Sequence, residues 1–168
     1  MLIKNKIKKS FFLLLLSIPF LSAASEKVLL KINSDVREVR EQYTLSELLH
    51  LPQYEVRTNT PWTNEMHTYS GPYLEDVFAL AGVRGNEITL YALDHYQISF
   101  NFESIKKYKP ILALAVDSEL LTVRTKGPIW VVLPLDDYSE LNAALYHDYM
   151  IWQLVKINVN EKSNDDAL

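Results

Sequence analysis

The run Trp130-Val131-Val132-Leu133 lies between Gly127-Pro128 and Pro134, and that framing leaves it little conformational choice. Four apolar residues are too few for an independent helix, and the flanking prolines stop one from extending through them. The run reads as a buried strand entered through a Gly-Pro corner. A short buried strand needs a sheet to receive its hydrogen bonds, so the fold is expected to be built on sheets. Arg124 and Lys126 precede the same corner, which sets Trp130 beside two cations. Two readings of that indole stand: ordinary core, or the wall of a pocket.

The rest of the chain carries the same punctuation. Val28 to Ile32, "YEVRTNT", "EITLYAL", "QISF", "ILALAVD" and "MIWQLVKINV" read as strands, and "PWTNEMHTYS" as an irregular segment. "TLSELLHL" opens on a capping box, Thr44 with Glu47 three residues on, and predicts a short helix. In "SGPYLEDVFALAG", Leu74, Val77, Phe78 and Ala81 share one helical face, Pro72 is expected in the first turn, and Gly82 ends the element. Further helices are expected around "FESIKKY" and over "DDYSELNAALY". Strands outnumber helices and do not alternate regularly with them. This predicts an α+β domain of mixed β-sheet layers with short helices rather than a doubly wound fold.

The first 24 residues are expected to be a cleaved signal peptide, with residues 25–160 forming one domain and 161–168 a flexible tail. Lys4, Lys6, Lys8 and Lys9 form a basic start, Phe11 to Leu21 an apolar run, and Ser22-Ala23-Ala24 a small-residue cleavage site. Removing that leader leaves 13 basic against 21 acidic residues, a formal charge of −8. An acidic exported domain is a poor partner for nucleic acid or an anionic membrane. The chain has no cysteine, which excludes disulfides, thiolate metal sites and a cysteine nucleophile.

Other chemistries fall by motif. The four glycines are scattered, so no phosphate loop is present, and neither a G-x-S-x-G elbow nor an H-E-x-x-H helix occurs. None of His50, His67, His95 and His147 pairs at helical spacing, and no metal site is expected. What stands out is aromatic and polar residues expected on turns between core elements: Trp62, His67, Tyr69, Asp94, Tyr96, Arg124, Lys126, Trp130, Trp152 and Gln153. Such groups suit a flat aromatic ligand, stacked on an indole and read at its edge by a carboxylate or guanidinium. Each also has a plainer reading. Trp130 and Trp152, both placed on strands, could be core; Asp94 could serve its own turn; Arg124 and Lys126 could be a solvated strand end.

With "TPWT" and the "SGPYLEDVFALAG" helix, the run "ALDHYQISF…ILALAVDSELLTVRTKGPIWVVLP…IWQLVKINV" resembles the sulfite-oxidase-type molybdopterin-binding domain over about residues 45 to 159. The departures from that family are informative. Its enzymes ligate molybdenum through a protein cysteine, which this chain lacks. Where they carry an arginine after the Gly-Pro corner, this chain has Trp130, and where they carry a lysine on the closing strand, it has Trp152.

Two cations exchanged for two indoles imply a site that grips rings rather than anions. The short, exported, cysteine-free sequences with "PWT", "GPxW" and "WQL" are similar to pterin-binding regulatory members of the family. That resemblance implies a periplasmic sensor that binds a reduced pterin without molybdenum and works with an inner-membrane signalling protein, such as a cyclic-di-GMP enzyme or a sensor kinase. The ligand residues it implies are Trp62, His67, Tyr69, Asp94, Tyr96, Arg124, Lys126, Gly127, Trp130 and Trp152. The alternative is a molybdopterin-dependent oxidoreductase lacking the cysteine ligand.

Overall fold

The computed structural model of the protein describes residues 26–35 and 38–160; the expected signal peptide and tail lie outside them. The corner-bounded run forms β10 (Trp130–Val132), three residues long and buried throughout. It pairs antiparallel with β7 (Ile111–Ala113), so Trp130 stands opposite Ala113. A small residue there leaves room for the indole, which is the largest fully buried side chain.

Two larger sheets flank this pair. One has five strands in the order β2 (Val39–Thr44), β1 (Val28–Ser34), β11 (Leu154–Asn160), β5 (Glu87–Ala92) and β6 (Gln97–Asn101). Its neighbours are antiparallel except β1 and β11, which run parallel. The other is antiparallel, in the order β3 (Tyr54–Thr58), β4 (His67–Gly71), β8 (Ala115–Val116) and β9 (Glu119–Leu120). The helices are short: α1 (Leu45–Leu49), α2 (Leu74–Leu80), α3 (Glu103–Lys106) and α4 (Ala144–Tyr149). The architecture is α+β with mixed sheets, as the strand-rich pattern predicts.

Local signals placed the early helices well. Thr44 and Glu47 close the capping box on α1, with the Thr44 N–H donating to Glu47 Oε2 at 2.7 Å and the Glu47 N–H to Thr44 Oγ1 at 3.3 Å. In α2, Leu74, Val77 and Phe78 are buried, with Ala81 as the C-cap, and Gly82 follows at φ +66°, where a left-handed residue ends a helix. Pro72 precedes the Tyr73 N-cap and so lies outside the first turn.

Four expectations need correction. The segment after Thr58 is not irregular to its end, because His67 to Gly71 form β4 between β3 and β8. "ILALAVD" is two strands: β7 pairs with β10 and β8 with β4, and the break at Leu114 switches the chain between sheets. Gly71 permits the crossing, since a Cβ there would lie 1.9 Å from the Leu112 carbonyl oxygen. "DDYSELNAALY" is not one helix: a 3₁₀ turn covers Ser139–Leu141, and α4 begins only at Ala144. Asp136 is drawn away from helical pairing by Thr58 and Asn59, whose hydroxyl and N–H donate to its carboxylate at 2.8 and 2.6 Å. Finally, β11 starts at Leu154, so Trp152 sits on a bend before the strand, next to Gln153 at φ +52°.

Candidate functional site

The Gly-Pro corner, the approach to β11 and the β5–β6 turn are stitched together by backbone hydrogen bonds. Val131 N–H donates to Ile151 O at 3.0 Å, Leu154 N–H to Ile129 O at 3.0 Å, and Gln153 N–H to Lys126 O at 2.9 Å. Leu93 N–H donates to Gln153 O at 2.9 Å, and Gln153 Nε2 donates to Val123 O at 3.0 Å. Gln153 therefore acts as a brace between loops. Residues far apart in sequence meet here because these segments share hydrogen bonds.

Three indoles gather at the junction. The ring centroids of Trp62 and Trp152 lie 5.0 Å apart, edge to face, and Trp62 and Trp130 lie 6.1 Å apart. Tyr69 meets the Trp130 ring edge-on at 5.2 Å. The Lys126 ammonium lies 4.3 Å from the Trp152 centroid and 5.5 Å from that of Trp130, a cation–π contact with both. Burial separates their roles. Trp130 is 2% exposed and its Nε1–H donates to Met150 O at 2.9 Å, whereas Trp62 is 37% exposed and Trp152 half-buried.

The residues predicted as one site divide between two adjoining cavities. The first, about 350 Å³, takes Trp62, Asp94, Tyr96 and Trp152. The second, about 240 Å³, takes His67, Tyr69, Arg124, Lys126 and Trp130. Gly127 lines neither; a Cβ there would fall 2.5 Å from Leu121 Cβ, so this position is glycine for packing. The sequence reading missed Ala92, His147, Asp148, Met150 and Ile151 in the first cavity, and Thr63, Val116, Asp117, Leu121 and Thr125 in the second. The "HDY" of His147 was visible but reads as surface. Met150 and Ile151 carry no chemical signal at all.

In the first cavity Asp94 Oδ1 accepts from the Tyr96 N–H at 3.0 Å, closing its own turn. The carboxylate is exposed at the rim, and its second oxygen has no protein partner among the described residues. The turn and the ligand readings of Asp94 are thus compatible. The loop carrying Trp62 is internally tied: Trp62 N–H donates to Thr60 Oγ1 at 3.3 Å, and the Thr60 and Thr63 hydroxyls lie 2.9 Å apart. Asp136, bonded to Thr58 and Asn59, anchors the loop's start, and those two donors hold its carboxyl below the usual carboxylate range.

In the second cavity Asp117 accepts from the Thr68 N–H at 3.0 Å and pairs with His67 Nδ1 at 2.6 Å. The Thr68 N–H first, then His67, holds the Asp117 carboxyl below its ordinary value. Tyr69 is 1% exposed and its hydroxyl has no hydrogen-bond partner among the described residues. Burial pushes its pKa up; the Thr63 and Thr60 hydroxyls soften that rise without reaching hydrogen-bonding geometry. A buried hydroxyl left unpaired costs roughly 1–3 kcal/mol, and the nearby Thr63 and Thr60 hydroxyls are the polar groups closest to offsetting that cost for Tyr69.

Sheets, corner and cavities together belong to an α+β domain of mixed sheet layers. Among solved structures, the chain is similar to the sulfane dehydrogenase SoxCD from Paracoccus pantotrophus, with a TM-score of 0.58 and 17% identity. The match covers 81% of this chain and 39% of that chain, and at this identity the likeness is one of fold. No protein-family model matches the sequence, and no curated protein does. A molybdenum centre bound through a protein thiolate does not fit the residues present, because the chain contains no cysteine.

Proposed function

We propose that this protein is a periplasmic pterin-binding regulatory module that holds a reduced pterin without metal. In this reading it passes occupancy to the periplasmic part of an inner-membrane signalling protein, a cyclic-di-GMP enzyme or a sensor kinase. The observation that carries it is the first cavity: two indoles, Trp62 and Trp152, form its wall and an exposed carboxylate, Asp94, its rim. Its volume lies at the lower end of the roughly 300–1,000 Å³ usual for small-molecule sites. A pterin offers a flat face for the indoles and an amino-pyrimidine edge from which a carboxylate accepts two hydrogen bonds.

Titration of the purified protein with tetrahydropterin under anaerobic conditions, followed by tryptophan fluorescence, tests the reading. Saturable quenching is expected, and its absence sinks the proposal. Asp94→Asn keeps an oxygen for the Tyr96 N–H but loses the charge. It should weaken binding about tenfold, from the loss of a charge-assisted pair, with the melting temperature nearly unchanged. Stoichiometric molybdenum in protein from a cofactor-competent host would instead favour the oxidoreductase alternative.

A further inference from the structure

We infer that the free edge of β6 is a self-association surface, on which a second copy of this chain adds its own β6 antiparallel about a two-fold axis centred on Ser99. Four strands stand at the edges of the two larger sheets, and three of them are guarded. β2 carries Arg40 and Glu41 and sits across a register break in its pairing with β1. β3 carries Glu55 and Arg57, and β9 is two residues long with Glu119 at its start. Charge, irregularity and shortness are the usual means by which an edge turns away another strand. β6 has none of them: Gln97-Ile98-Ser99-Phe100-Asn101 is five residues long, without charge or proline, in unbroken register against β5.

The pleat fixes which backbone groups are free. Ala92 N–H donates to Tyr96 O at 2.8 Å and Phe102 N–H to Asn86 O at 2.6 Å, so the even-numbered residues of β6 bond to β5. Gln97, Ser99 and Asn101 then turn their N–H and C=O groups to the open side, and all three residues are exposed. Without its leader the chain has a formal charge of −8, so an uncharged strand is where a like molecule approaches with least repulsion. An axis at Ser99 sets Gln97 opposite the second copy's Asn101 and Ser99 opposite its own counterpart, with no like charges opposed. The same register places the partly buried Ile98 opposite the second copy's Phe100, which continues the apolar face across the joint. Tyr96, which lines the first cavity, leads directly into β6, so the pairing sets two first cavities about one axis.

A joint of one short strand from each copy is smaller than the roughly 1,200 Å² at which standard interfaces begin, so a reversible dimer with a Kd of about 1–100 μM is expected. Sedimentation velocity of the purified protein across that concentration range reads it. Ser99→Pro removes the outward N–H from both copies, and Ser99→Lys opposes two ammonium groups at the axis; each should weaken the dimer about five- to tenfold. Gln42→Lys, on the opposite edge strand, should leave it within about twofold. Because the chain has no cysteine, Ser99→Cys gives an independent readout that does not rely on the proline variant folding. Across a hydrogen-bonded antiparallel pair the Cα atoms lie about 5.5 Å apart, within disulfide range, so mild oxidation should yield a covalent dimer. Gln42→Cys should not form one. A protein that stays monomeric throughout overturns the inference, and so does a dimer indifferent to Ser99→Lys or one in which Ser99→Cys crosslinks no better than Gln42→Cys. The pterin reading stands or falls separately, on its own titration.

Discussion

Trp130→Phe separates the two roles an indole can take in this domain. Phenylalanine keeps an aromatic ring opposite Ala113 and against Tyr69, but it removes the Nε1–H that donates to Met150 O at 2.9 Å. Met150 is 1% exposed, so its carbonyl loses a partner where water does not readily replace it. That loss costs roughly 1–3 kcal/mol. The smaller ring also leaves a void of roughly 40 Å³, worth about 1 kcal/mol at ~24 cal/mol per Å³. The two together come to about 2–4 kcal/mol, which lowers Tm by roughly 10 °C for a domain of this size.

Trp152→Phe is the control. Its ring is half-buried and covered by Lys126, and its indole N–H makes no hydrogen bond among the described residues. The cost to stability should stay below about 1 kcal/mol, while pterin quenching weakens because the first cavity loses part of its wall. Thermal melts by circular dichroism, with pterin titration well below each midpoint, read both effects. If Trp130→Phe melts within about 2 °C of wild type yet abolishes binding, Trp130 is a ligand wall rather than a structural beam, and the reasoning fails.

Two further outcomes follow from the geometry. Asp117 has a depressed carboxyl pKa in the folded state, so its contribution is present above the unfolded carboxylate pKa and is lost as pH falls through the folded one, below about pH 4. Tm measured from pH 6 to 3 should therefore fall less steeply for Asp117→Asn than for wild type, and parallel slopes would remove Asp117 from the acid response. Gly127→Ala should destabilise the domain by more than about 2 kcal/mol through overpacking, since the new Cβ meets both the side chain and backbone of Leu121; an unchanged denaturation midpoint would show that this corner has slack.

Much of the fold was legible because its signals are short-ranged. The capping box on α1, the apolar face of α2 with Gly82 behind it, and the proline-bounded β10 depend on residues within a few positions of one another. The candidate site was legible only as an inventory. Trp62, Asp94, Tyr96 and Trp152 do meet, but the sequence reading put His67, Tyr69, Arg124, Lys126 and Trp130 with them, and these belong to a neighbouring cavity. It also set Trp130 and Trp152 on the same footing, although one is core and hydrogen-bonded and the other lies half-buried on a bend.

By itself, then, the sequence determined the strand-rich α+β class, the existence of the two early helices and the absence of any thiol chemistry, since each follows from composition or local pattern. Tertiary structure decided which indole is structural, which carboxylates are spent on the protein and where one cavity ends and the next begins. Those outcomes depend on the sheet switch at Leu114, the Gln153 brace and the Asp136 anchor. In each, groups up to 78 positions apart satisfy one another's hydrogen bonds. A local pattern cannot reveal such a pairing, because the partner that fixes a side chain's role comes from a distant part of the chain.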